Sequence, residues 1–326
     1  MSMGSEPFLD TYFVTLRAPW SAGISFFGLE VTVVICGVLA LLHALRAREK
    51  GDGLPLFTWG VSFTYGIVME LLSYNFLDSF KHGQFSVMFY KKQLPLYVVT
   101  LYPVLQYTSI MIARRLRAGV VAQAFTAGAL IVAMDFPFDI LGPALGWWSW
   151  SDTDPNMAFR WHGVPVTSYY WHLAWGGLLA AITRLFGRYG ADPKKPVRIA
   201  VLALPLSFLT IFLGVISFLP FHALKAAGVA DGTIVAGLFV VSVAVAALSR
   251  PADVPRVLDR RLLTIPVFYY SYFMLAALVM LATGTPGFGG RMVVIASVTV
   301  AALAAHIWAH REPRERQEAA APAEGA

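Results

Sequence analysis

The chain of 326 residues holds a single cysteine, Cys36, and it lies inside an apolar run. A disulfide framework and a thiolate metal site are both excluded. Charge is scarce as well: Asp, Glu, Lys and Arg together make up 13% of the residues. No lysine falls inside any long apolar run, so a retinal Schiff base has no attachment point. There is no P-loop, no HExxH and no GxSxG. Met1 to Trp20 has no basic leader and carries Glu6 and Asp10, which does not fit a cleavable signal peptide. Residues 1–20 read instead as an interfacial arm with Phe8, Tyr12, Phe13 and Trp20 at headgroup level.

What the chain has in abundance is apolar sequence, 57% of it, in runs near the length needed to cross a bilayer. The runs fall at about 22–45, 55–77, 94–113, 119–147, 165–187, 197–220, 229–249, 261–283 and 290–309. The expected fold is all-α, a polytopic membrane helix bundle of about nine transmembrane helices. Most of the 25 lysines and arginines collect on one set of alternating loops, Arg46, Arg48, Arg114, Arg115, Arg117, Arg184, Arg250, Arg256, Arg311, Arg314 and Arg316 among them. By the positive-inside rule the N-terminus lies outside and the C-terminus in the cytoplasm, as for a bacterial inner-membrane protein. That sidedness accounts for the net charge of +6 without a nucleic-acid partner. Residues 1–310 are expected to form one membrane domain, with 55–187 holding a repeat and the site, and 197–309 adding further helices. Residues 311–326 read as a disordered cytoplasmic tail.

Acids inside apolar runs are costly, and each is a candidate for function. Asp135 and Asp139 are four residues apart and share one helix face. Counted from the outer end of each run, Glu70, Asp139, Asp135, His172 and Glu30 lie at roughly 10–18 Å, all in the outer half. The spacing also repeats. Glu70 precedes Pro95 by 25 residues and Asp139 precedes Pro165 by 26, and seven residues past the prolines stand Tyr102 and His172. Spans 2–3 and 4–5 therefore read as two parallel copies of one hairpin whose acids face a shared cavity. Two acids in one dry pocket cannot both ionise cheaply, so a neutral, proton-donating acid is expected. Trp147, Trp148 and Trp150 fit either an aromatic belt or walls that stabilise a cation. Asp152, Asp154, Arg160 and His162 read as a solvated outer loop, and Phe268, Tyr269, Tyr270, Tyr272 and Phe273 as packing or a tunnel lining.

The acid at Asp135 or Asp139, then Trp148-Ser149-Trp150, then Gly163-Val164-Pro165 opening the next span, resembles the bacterial carotenoid hydratases. Their wider relatives are the membrane lycopene cyclases and terpene cyclases, and Glu70 with Leu94-Pro95-Leu96 gives a fainter echo. The match covers residues 60–180. Lycopene cyclases carry acids just after the proline, where this chain has Val166-Thr167-Ser168, and the hydratases an Asn and a Gly-Trp pair, where this chain has Tyr169-Tyr170-Trp171-His172. Asp135 and Asp139 also fit the DxxxD of membrane prenyltransferases, but those carry two such motifs near the cytoplasmic side.

The resemblance implies a lipid-soluble isoprenoid substrate protonated at a double bond, with no cofactor and no metal. Asp139 or Glu70 would be the acid, Asp135 its partner and His172 the group that orients water or accepts a proton. Trp148, Trp150, Tyr170, Trp171 and Tyr102 would line the substrate. A non-catalytic lipid-binding or assembly protein and a small transporter stay open as alternatives. The oligomeric state is not legible.

Overall fold

The structure is a computed structural model that describes residues 6–77, 79–116, 119–249 and 259–309. The expected tail at 311–326, and Arg117, Arg250, Arg256, Arg311, Arg314 and Arg316 of the basic loops, lie outside the described residues.

The helices are α1 (Ile24–Glu49), α2 (Leu54–Leu72), α3 (Leu96–Tyr102), α4 (Thr108–Arg115), α5 (Val120–Leu145), α6 (Val166–Gly190), α7 (Val197–Ala226), α8 (Asp231–Leu248), α9 (Arg260–Ala282) and α10 (Phe288–Trp308). A π-helical turn, Ser73–Leu77, extends α2, and another, Pro103–Tyr107, joins α3 to α4 in one rod. Pro103 has no N–H to give to the ladder, which accounts for the wider turn there. Eight of these rods are long and apolar enough to cross a bilayer. The protein is an all-α helical bundle and an integral membrane protein.

The rod outside those eight is α6. It is long enough, but Thr167, Ser168, Tyr169, Tyr170 and His172 dilute its apolar character. The bundle accommodates them by packing α6 between α5 and α7, so most of its first turns are buried. In contrast α7 to α10 turn many large apolar side chains outward, Val201, Phe212, Leu248, Leu275 and Val300 among them, as helices bathed in lipid do.

Short strands cap the bundle at the end where α2 and α5 finish and α3 and α6 begin. They are β1 (Leu9–Asp10), β2 (Val14–Leu16), β3 (Phe80–His82), β4 (Val87–Phe89), β5 (Leu94–Pro95), β6 (Trp148–Trp150), β7 (Arg160–Trp161) and β8 (Val164–Pro165). β1, β2, β4 and β5 make one antiparallel sheet, β3 pairs with β6, and β7 pairs with β8. The N-terminal arm is tied into this sheet, with Phe8, Tyr12, Phe13 and Trp20 exposed. Its Thr15 lies opposite Met88, and Lys92 reaches Asp10 at 2.6 Å. That contact, with the Thr15 hydroxyl, holds the Asp10 carboxyl below the usual carboxylate range.

The two hairpin copies have matching anatomy. Each runs from a helix through a strand of the central β3–β6 pair to a two-strand hairpin that ends in proline, and a new helix starts at the next residue. Pro95 and Pro165 are both extended N-cap residues, at φ −68°, ψ 151° and φ −58°, ψ 130°. Between β7 and β8 the two turn residues His162 and Gly163 have φ of 52° and 90°, the pattern of a type I′ turn. Gly163-Val164-Pro165 thus closes a hairpin and starts α6.

Candidate functional site

α2, α3, α5 and α6 surround a cavity of about 80 Å³ just beneath the strand cap. Its wall includes Glu70 from α2, Tyr102 from α3, Asp135 and Asp139 from α5, and Ser168 and His172 from α6. The periodicity that places Asp135 and Asp139 on one face of α5 thus aims both into one space.

The polar groups form two clusters. In the first, the Tyr102 hydroxyl donates to Glu70 Oε1 at 2.8 Å, and His82 Nε2 lies 3.4 Å from Glu70 Oε2. His82 Nδ1 in turn is 2.9 Å from the Tyr97 hydroxyl. In the second, the Ser168 hydroxyl donates to Asp139 Oδ2 at 2.7 Å, and His172 Nε2 lies 3.3 Å from Asp135 Oδ2. That Asp135 oxygen and the Gln106 side-chain oxygen are buried without a hydrogen-bond partner among the described residues. Buried polar atoms of this kind cost free energy unless a ligand or water satisfies them. Glu70, Asp135 and Asp139 are nearly inaccessible, while the His172 side chain keeps 19% of its surface.

Aromatic rings make the remaining walls. Trp148 packs on Phe138 with centroids 4.2 Å apart and meets Trp150 edge-on at 6.4 Å. Trp171 stacks on Trp175 at 6.1 Å. Two glycines make room for these rings. A Cβ on Gly142 would sit 2.0 Å from the Trp148 indole, and one on Gly66 would sit 2.4 Å from the Tyr102 ring. Gly66 lies one helical turn before Glu70, so the approach that Gly66 permits lets Tyr102 reach the carboxylate.

One ligand atom each from Asp135, Asp139 and His172 lie within 4.8 Å of one another. Two carboxylates and an imidazole suit a transition metal such as zinc or iron, and these are the residues that could hold one. In the absence of a metal the same three groups can pass a proton among themselves.

Of the residues singled out in the sequence, Glu70, Asp135, Asp139, His172, Trp148, Trp150, Trp171 and Tyr102 all border the cavity. Tyr170 does not. Its hydroxyl bonds the Ser217 carbonyl and its ring packs on Phe218 and Phe221, because it leaves α6 on the side facing α7. Glu30 is also elsewhere, accepting from the Ser86 hydroxyl and from the Val87 N–H at 3.3 Å, so that α1 clamps the strand cap. Trp147 and Trp148 are buried and form no belt; Trp147 packs against Tyr272 and Phe273. The aromatic run of α9 packs the core, with Tyr269, Tyr270 and Phe273 buried, and none of the five lines this cavity. In the outer loop, Arg160 pairs with Asp152 at 2.8 Å, and Asp154 caps a short 3-10 turn.

His82, Tyr97, Ser168 and Gln106 were not picked out from the sequence. His82 follows Glu70 by 12 residues and Trp150 follows Asp139 by 11, so the hairpin repeat carried an approximate signal for it. Tyr97, Ser168 and Gln106 carried none, being common residue types in helices.

A family model described as Domain of unknown function (DUF7802) matches residues 16–282. The chain belongs to that family. The DUF7802 match runs from the last residue of β2 to the end of α9, and so includes β3 to β8 and every residue of the chamber. No curated protein and no solved structure matches the chain.

Proposed function

We propose that this protein is a membrane-embedded acid–base enzyme that protonates a double bond of an isoprenoid or similar lipid, followed by hydration or cyclisation. The observation that carries the reading is the convergence of Glu70, Asp135, Asp139 and His172, from three helices, on one chamber with indole and phenyl walls. Alkene protonation needs a carboxylic acid kept out of bulk water, and the resulting tertiary cation is stabilised by ring faces. Asp139 is held by Ser168 and stands beside Asp135, so this pair supplies the proton. The carbon–hydrogen bond forms as the carboxyl O–H breaks. In the hydratase outcome, water adds to the cation and its surplus proton passes through His172 to the carboxylate, restoring the acid. In the cyclase outcome, an internal alkene closes on the cation and a neighbouring C–H bond breaks, its electrons forming the new double bond and its proton passing through His172 to the carboxylate, restoring the acid. A cavity of about 80 Å³ fits the end of a chain rather than a whole carotenoid, so the substrate enters end-on.

The test is mass spectrometry of lipids from cells expressing the wild type, Asp139→Asn or Asp135→Asn, with protein levels matched. A wild-type product heavier than its precursor by one water marks a hydratase, and an isomer of unchanged mass marks a cyclase; both carboxamide variants should lack the product. Identical lipid profiles in all cells would remove the catalytic reading.

A second reading rests on the spacing of Asp135, Asp139 and His172, in which the three bind a metal ion that acts as Lewis acid. Metal analysis of purified protein separates the two. A stoichiometric metal that is lost in His172→Ala favours the second reading, and its absence from active protein favours the first.

A further inference from the structure

A second cavity, of about 640 Å³, lies at the other end of the bundle. Gln123 on its wall precedes Asp135 by 12 residues of the same helix, roughly 18 Å at the α-helical rise. The two cavities are separate sites.

Among the described residues its border carries the guanidinium groups of Arg114, Arg115 and Arg184, the His43 imidazole and the carboxylates of Asp52 and Asp259. Each carboxylate has a basic partner: Asp52 takes Arg114 at 2.9 Å, and Asp259 takes His43 Nε2 at 2.9 Å. α2, α5 and α9 begin at this end while α1, α4 and α6 finish there, so helix poles of both signs meet and the guanidinium groups carry the positive character. The interior also holds a polar group with nothing to bind. Thr58 lines the cavity, is 1% exposed, and its hydroxyl has no hydrogen-bond partner among the described residues. Below the charged border the wall is apolar, with Leu54, Ile110, Met111 and Leu262.

A positive border over an apolar floor, at the depth where the spans end, suits an amphiphile with an anionic head. We infer that this cavity binds a phosphate ester, with arginine forks on the phosphate oxygens and the Thr58 hydroxyl donating to the same group. Guanidinium is the side chain best matched to phosphate geometry. A phospholipid headgroup and a soluble phosphate ester share that chemistry. The inference is independent of what the acidic chamber does.

The test uses the full-length protein in nanodiscs. Native mass spectrometry reads retained lipid from discs of phosphatidylcholine alone and of phosphatidylcholine mixed with phosphatidylglycerol, and calorimetry reads glycerol 3-phosphate. Retained phosphatidylglycerol assigns the lipid source, and saturable glycerol 3-phosphate binding without lipid retention assigns a soluble ester. In either case Arg184→Gln should weaken binding about tenfold or more. Arg184→Lys should lose less, and Thr58→Val about threefold, with the melting temperature tracked for each variant. Thr58→Val removes no charge, so it reports on the site even where an arginine variant fails to fold. Wild type that binds neither probe, or binding that Thr58→Val and Arg184→Gln leave unchanged, would overturn the assignment.

Discussion

The Ser168 hydroxyl on α6 donates to Asp139 on α5 at 2.7 Å, which ties together the two helices that carry the second acidic cluster. Asp139 also stands beside Asp135, so Ser168 and Asp135 together set its orientation. Ser168→Ala should lower stability by about 1 kcal/mol, in line with interhelical hydrogen bonds in membranes. It should reduce product formation much further, because a rotated carboxyl no longer faces the substrate. Thermal melts in detergent and lipid mass spectrometry on the same variant check the two parts. Parallel losses of stability and product would mean that the bond serves only packing.

Hydrophobic run length was enough to locate the helices to within a few residues, since crossing a bilayer leaves little freedom. The strand cap was not legible. Its strands are two or three residues long, too short for an alternating pattern to register, and their pairing joins segments distant in sequence, such as Phe80 with Trp150. The depth of the acids pointed to the chamber because depth follows from residue count. Rotation about the helix axis does not, which is why Tyr170 was grouped with Trp171 although it faces α7. Ser168 and Gln106 are ordinary residues whose roles exist only through what packs beside them.

Gly142 lies under the Trp148 indole so closely that any side chain there must displace the ring. Gly142→Ala is expected to cost about 1–3 kcal/mol, the range for overpacking a filled interior. Because Trp148 walls the chamber, the variant should also shift the tryptophan emission and cut product formation. A Gly142→Ala protein with wild-type melting and emission would mean that the indole has another place to go.

The cap of α9 makes a pH prediction at the basic end. Half-burial of Asp259 works to raise its pKa, but the hydrogen bonds from His43 and from the Leu262 N–H, with the charges of His43 and Arg115, outweigh it and hold the carboxyl below its usual range. A depressed carboxyl favours the folded state wherever the unfolded chain's carboxyl would already be ionised. The stabilisation is therefore present above the ordinary carboxylate pKa, near 4, and is lost as pH falls below it. Asp259→Asn should melt lower than wild type at neutral pH and converge with it in acid. Melting curves from pH 7 down to about pH 1–2 decide, and a gap that stays constant with pH would count against the ionic part of this cap.

Glu70 is held by the Tyr102 hydroxyl at 2.8 Å and stands 3.4 Å from His82, so the first cluster is a network in which each member orients the next. Glu70→Gln keeps an acceptor for Tyr102 but removes the proton-donating ability and the carboxylate that faces His82. Were Glu70 the acid, this variant should abolish product with stability nearly unchanged. With the Asp135–Asp139 pair as the acid, Glu70→Gln should retain product at reduced rate, whereas Tyr102→Phe should behave like it because both slacken one network. A double-mutant cycle on Glu70 and Tyr102, read by thermal stability, should give a coupling of about 0.6 kcal/mol and no more than about 1.7. Complete loss of product in Glu70→Gln, beside an active Tyr102→Phe, would move the proton-donating role from α5 to α2.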